Sequence, residues 1–191
     1  MTEDDLLRRA PPGQVISSSW PVLTYGSTPA VALESWSLEV RGLVDRRLKL
    51  AWEDIFKLQK TVVVADFHCV TGWTKPRNTW EGVTFRTLMK EASPRPEAAF
   101  ASFECYGGYT TSLPLAALID DEVLLAYSHN GAPLPAEHGG PLRLIVPKRY
   151  AYKSAKWLHV IELLKHDRLG FWELRGYSNT ADPWSEDRYS F

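Results

Sequence analysis

The 191-residue chain is 45% hydrophobic and 24% charged, with a formal net charge of -1, so it can bury a sizeable core and gives a polyanion nothing to pull on. That balance argues against a nucleic-acid or membrane-surface partner. The N-terminal MTEDDLLRRAPPGQ lacks an apolar signal core, and no apolar run has bilayer-spanning length; the expectation is one cytoplasmic domain over residues 1–191.

Residues 1–14 are polar and suggest no element. Strands are predicted at 36–40, 62–66, 99–105 and 142–146, where short β-branched or aromatic runs end at turn-forming residues. Apolar residues at three- and four-residue spacing predict short amphipathic helices over 51–58 and 84–90, with a further helical turn over 113–119. The tail from Ser178 holds Trp184, Tyr189 and Phe191, apolar surface that favours wrapping onto the body. The mixture is α+β, with several small sheets.

Three segments hold chemistry-bearing residues. The first is Asp66-Phe67-His68-Cys69-Val70-Thr71-Gly72-Trp73, where a predicted strand delivers a thiol into a loop. A thiolate there suits a soft metal or a nucleophilic role, while a buried inert cysteine is the ordinary alternative. A structural zinc needs a second ligand pair, which the sequence does not offer. A thiol enzyme using Cys69 and His68 stays open, although His68 reads better as a hydrogen-bonded structural residue. With only two cysteines, Cys69 and Cys105, a disulfide scaffold is not expected.

In the second segment, residues 130–147, His138 precedes Gly139-Gly140-Pro141 and Arg143. Glycines admit a ligand to the backbone, and a histidine with an arginine can neutralise a phosphate; a plain hairpin with solvated charges fits the spacing as well. The third, Arg149-Tyr150-Ala151-Tyr152-Lys153-Ser154-Ala155-Lys156-Trp157, reads as an anion cradle or as a basic solvated turn. Eight tryptophans serve equally as core anchors or pocket walls.

In this order the segments resemble the molybdopterin-binding domain of the sulfite oxidase family, especially its small bacterial members. The resemblance is carried by His68-Cys69-Val70-Thr71-Gly72-Trp73, Trp80-Glu81-Gly82, Ala126-Tyr127, Asn130-Gly131, Pro133-Leu134, His138-Gly139-Gly140-Pro141-Leu142-Arg143, Val146-Pro147 and Lys153-Ser154-Ala155-Lys156-Trp157. It runs from about Trp36 to Tyr177 and implies a sulfite-oxidase-type fold of mixed β-sheets with short helices. It also implies Cys69 as a molybdenum ligand, with the pterin dithiolene completing the site. His138 and Arg143 would hold the pterin and its phosphate, and Ser154, Ala155 and Lys156 would form a second binding loop. Cys105 falls where other members place a cofactor contact, and Tyr177 where they keep a tyrosine beside the metal. What the family implies is a molybdenum-pterin oxidoreductase moving an oxygen atom to or from a small substrate and exchanging electrons with a separate redox protein. Both directions are open, because the family includes a reductase of oxidised methionine. A non-catalytic pterin-binding module is the alternative.

The sequence departs from sulfite oxidases where they present arginines to a dianion. Residues 19–26 and 72–75 contain none, so the expectation is a more apolar site lined by Trp20, Tyr25 and Trp73, which argues against sulfite itself.

Overall fold

The apolar run 62–65 becomes part of a strand of 10 residues, β4 (Lys60–Cys69), in the computed structural model, which describes residues 10–191. The strand therefore reaches Cys69, and the thiol belongs to its last residue rather than to the following loop. A turn over 70–72 leads into β5 (Trp73–Thr84), 12 residues long, in register with β4 so that Cys69 faces Trp73 and His68 faces Thr74. Gly72, at φ +99°, makes the reversal without Cβ strain.

The other edge of β5 is shared. Near its start it pairs in parallel with β1 (Val15–Ile16), and near its end antiparallel with β8 (Leu124–His129). β9 (Ala132–Pro133) and β10 (Arg143–Ile145) add to β8 and complete a six-stranded sheet. Gly82 permits the β5–β8 approach, since a Cβ there would lie 2.0 Å from the Leu125 carbonyl oxygen. The second sheet has the order β3 (Leu48–Ala51), β2 (Ser37–Gly42), β11 (Leu158–Leu164), β6 (Phe100–Cys105), β7 (Thr110–Pro114). Only its β2–β11 pairing is parallel.

Alternation along the strands divides the apolar residues into two cores. The larger joins Leu38, Val40, Phe103, Ile161 and Leu163 of the second sheet to Val83, Leu125 and Leu144 of the first, with helix Phe85–Ala92 packed against them. That helix buries Phe85, Leu88, Met89 and Ala92 at the predicted spacing, and the Thr84 side chain caps it by accepting from the Thr87 N–H at 3.1 Å. Truncating Leu88 to Ala would cost about 2–5 kcal/mol. The smaller core, on the opposite face of the first sheet, gathers Val63, Ala65, Phe67, Trp80, Leu124, Ala126 and Ile145.

Three predicted elements differ. The 51–58 helix is a single turn, Trp52–Ile55, capped at its start by the Asp54 carboxylate, which accepts from the Ala51 N–H at 2.9 Å, and ended at Phe56. The 113–119 segment is divided between the end of β7 and the turn Leu115–Leu118, because Leu113 pairs with Ala101 in the second sheet. The tail lies against the body through Ser178 and the fully buried Ala181, but the aromatics expected to drive that contact stay exposed, Trp184 at 49%, Tyr189 at 51% and Phe191 at 98%. Residues 1–9 lie outside the described part. No helix of the described residues is long and apolar enough to cross a membrane.

Candidate active site

A cavity of about 390 Å³ opens at the β4–β5 turn. Its walls come from six distant parts of the sequence: 20–25, 67–73, 107 with 109, 138 with 143, 151–157, and 171–177. Cys69, His138, Arg143, Ser154, Ala155, Lys156 and Tyr177 all line it. Cys105 does not. It is buried in the larger core on β6, where desolvation pushes its thiol well above the usual range.

The Cys69 side chain is 7% exposed, with Sγ 3.1 Å from Thr71 Oγ1. Its carbonyl accepts from Gln14 Nε2 at 3.1 Å and from the Gly72 N–H at 3.0 Å. Gln14 Oε1 accepts from the Thr74 hydroxyl at 3.3 Å, which leaves Thr74 Oγ1 to accept from His68 Nδ1 at 2.8 Å. His68 is thus a neutral structural donor behind the strand, its pKa lowered to about 4 chiefly by burial. Its ring packs edge-on against Trp184, away from the thiol's side of the strand.

Arg143, 1% exposed, lines the same cavity from the start of β10. Its terminal nitrogens donate to the carbonyls of His138 (2.7 Å) and Ser154 (2.8 Å), while Nε finds no partner. The guanidinium lies over the Phe67 and Trp20 rings. Burial lowers its pKa to about 9, so at neutral pH it stays charged, and among the described residues no carboxylate pairs with it. Lys156, on the same wall, is lowered to about 8 by burial and then by Arg143. Its Nζ donates to Leu23 O (2.9 Å), Thr24 Oγ1 (2.9 Å) and Glu137 O (2.7 Å). His138 is stacked on Trp20, centroids 3.7 Å apart, and is kept neutral by burial and by both cations.

The 154–156 loop is locked through its backbone. Ser154 Oγ accepts from the Val146 N–H at 2.9 Å, and the Ala155 carbonyl accepts from the Leu144 N–H at 2.8 Å. Of the three cations in the 149–157 segment only Lys156 reaches the cavity. Lys153 turns inward to pair with Glu173, which corrects its reading as part of an anion cradle. Tyr177 stands between Trp172 (5.1 Å) and Tyr152 (5.6 Å), with Tyr189 behind it. Tyr109, Phe171 and Trp172 also form walls; sequence spacing did not single them out, and aromatic abundance was their only signal.

Residues 25–172 match the family model described as the oxidoreductase molybdopterin binding domain. The chain belongs to the oxidoreductase molybdopterin-binding domain family. It is 40% identical over 190 residues to the uncharacterized oxidoreductase YuiH of Bacillus subtilis, covering 99% of this chain and 96% of that one. It is 30% identical to the catalytic subunit MsrP, a protein-methionine-sulfoxide reductase of Gluconobacter oxydans (72% of this chain, 49% of that one), and 30% identical to sulfite oxidase of Arabidopsis thaliana (80% and 48%). Among solved structures, the sulfane dehydrogenase SoxCD of Paracoccus pantotrophus superposes with a TM-score of 0.67 at 25% identity, over 73% of this chain and 40% of that one. The chain thus spans nearly all of the Bacillus protein but about half or less of the others.

As a molybdopterin-binding domain, the chain has the sulfite-oxidase-type fold and is an oxidoreductase of the molybdenum-pterin class. The cavity suits that cofactor on its own terms. A buried cation with an orphaned N–H, a lysine beside it and a neutral stacked histidine are chemically suited to a phosphate, and a cysteine sulfur in the same cavity is of the soft type that molybdenum takes.

Proposed function

We propose that this chain is the molybdenum-pterin component of an oxygen-atom transferase whose substrate is small and uncharged, and that it exchanges electrons with a separate redox protein. Molybdenum on a pterin dithiolene supplies two-electron oxygen-atom exchange. In this reading Cys69 is the metal's protein ligand. Arg143 and Lys156 neutralise the pterin phosphate, His138, Ser154 and Ala155 line its bed, and Tyr177 donates a hydrogen bond or proton on the substrate side.

The observation that carries the proposal is the pairing, in one cavity, of the Cys69 thiol with the Arg143 guanidinium that has no anionic partner among the described residues. Substrate charge follows from the remaining wall. Trp20, Pro21, Leu23, Tyr25, Trp73, Phe171 and Trp172 are apolar or aromatic, and the two lining cations already bond to backbone carbonyls. In this reading the pterin phosphate takes both cations, so an oxyanion substrate would find no further positive charge on this wall, whereas a sulfoxide or N-oxide with apolar substituents meets aromatic surface. A separate electron carrier is supported by the similarity to MsrP, which is a catalytic subunit. A reducing compartment such as the cytoplasm suits two unpaired cysteines.

The test is elemental and pterin analysis of protein from a cofactor-competent host, followed by turnover of sulfite and of neutral oxides with an artificial electron carrier. Near-stoichiometric molybdenum in the wild type, loss of metal in Cys69→Ala and selective turnover of neutral oxides are expected. Metal-free wild-type protein would leave a binding module without the chemistry, and a preference for sulfite would overturn the substrate class.

A further inference from the structure

We propose that Thr71 positions and tunes the Cys69 sulfur by donating a hydrogen bond to it. The inference rests on the reading of Cys69 as the metal ligand. Thr71 Oγ1 lies 3.1 Å from Sγ, within reach of a hydrogen bond to sulfur, and among the described residues this hydroxyl makes no other hydrogen bond. Either group can donate while Cys69 is a thiol. A metal-bound sulfur carries no proton, so the hydrogen must then come from Thr71.

The turn that holds the hydroxyl is braced independently of it. Val15 donates its N–H to the Gly72 carbonyl at 2.9 Å, Gly72 donates to the Cys69 carbonyl, and the Arg188 guanidinium donates to the Val70 carbonyl. Gly72 supplies the positive φ. Thr71 is itself an exposed residue on the cavity wall, with no part in either apolar core. Folding of the turn therefore asks nothing of a hydroxyl at 71, and the one group it addresses is the sulfur.

A hydrogen bond to a ligand sulfur withdraws electron density from it, weakens its donation to the metal and raises the metal's reduction potential. Thr71 would thus set how readily the centre accepts electrons.

The experiment compares cofactor-loaded wild type with Thr71→Val, which keeps the shape and loses the donor, and Thr71→Ser, which keeps the donor. Metal content, the sulfur-to-molybdenum charge-transfer absorption and the midpoint potential are read. Thr71→Val is expected to retain molybdenum within twofold of wild type, to move the charge-transfer band to longer wavelength and to lower the potential, with Thr71→Ser restoring both. Loss of metal in Thr71→Val alone, restored in Thr71→Ser, would also support a hydroxyl that places the sulfur. An unchanged band and potential in Thr71→Val, or equal loss of metal in both variants, would overturn the inference. Cys69→Ala separates the two readings: if it keeps metal and band, the ligand assignment itself has failed. If Cys69→Ala loses the band while Thr71→Val leaves it unaltered, the role of Thr71 alone has failed.

Discussion

Lys153 and Glu173 form an ion pair at side-chain exposures of 0% and 1%, and that pair joins the cavity-lining 154–156 loop to the segment carrying Tyr177. Lys153 immediately precedes Ser154, and Glu173 lies in the turn Glu173–Arg175 that leads into Tyr177. The ammonium also donates to the Ser112 carbonyl (2.9 Å) and Asn179 Oδ1 (3.1 Å), and the Thr111 hydroxyl donates to Glu173 Oε1 (2.6 Å). Burial favours the uncharged lysine, and Glu173 is the main influence opposing it. Removing one partner strands a charge in the interior, so Lys153→Met should lower unfolding stability by about 3–5 kcal/mol. Adding Glu173→Gln should recover at least half of that loss. Urea unfolding of the two single variants and the double variant checks the coupling.

Arg143 behaves in the opposite way. Its charge is buried without an anion, so Arg143→Met removes a desolvation cost while giving up two bonds to carbonyls, each worth about 1–3 kcal/mol. The opposing effects should leave the cofactor-free protein within about 2 kcal/mol of wild type. Pterin retention should fall at least about tenfold, a loss of about 1.4 kcal/mol in binding. Calorimetry of cofactor-free protein and pterin release from loaded protein separate the two effects.

Gly139 sits at φ +104°, and a Cβ there would come within 2.9 Å of Lys156 Cβ. The glycine is what lets these two cavity-lining segments touch. Gly139→Ala should cost about 2 kcal/mol or more from the backbone conformation and the clash, and should weaken pterin retention by displacing Lys156. Thermal unfolding together with pterin content tests both halves.

Acid should loosen the wall behind Trp20. His129 Nε2 donates to Asn78 Oδ1 at 2.9 Å, and burial with nearby Lys75, His138 and Arg143 lowers its pKa from 6.5 to about 4. Because the folded value lies below the unfolded one, the unfolded chain takes the proton first. The contribution of this residue is complete above pH 6.5 and is lost as pH falls toward 4. Partial exposure reduces it to roughly 1 kcal/mol. Urea midpoints at pH 7 and pH 5 should differ less in His129→Gln than in the wild type.

What the sequence disclosed follows from how local each signal is. Helix Phe85–Ala92 was legible because its buried residues recur at helical spacing, and the cavity residues from Cys69 to Lys156 were legible as an ordered set of motifs. β5 was not. It contains Pro76, Asn78 and Gly82, and Arg77 at φ 54°, and is held as a strand by β4 on one side and β1 and β8 on the other, which no local pattern encodes. Tyr109, Phe171 and Trp172 reach the cavity only through the tertiary fold, which local patterns do not encode. Lys153 was misread because an outward and an inward lysine look alike until Glu173 is brought beneath it.

The Cys69 turn is clasped from both ends of the chain: Gln14 and Val15 hold its carbonyls from the N-terminal side, and Arg188 holds Val70 from the C-terminal side. Until Arg188 has emerged from the ribosome, the mouth of the pocket is a hairpin with one clasp missing. The Arg188 bond to Val70 spans 118 positions of sequence, so the mouth of the pocket is finished by the closing of the whole domain rather than by its own hairpin.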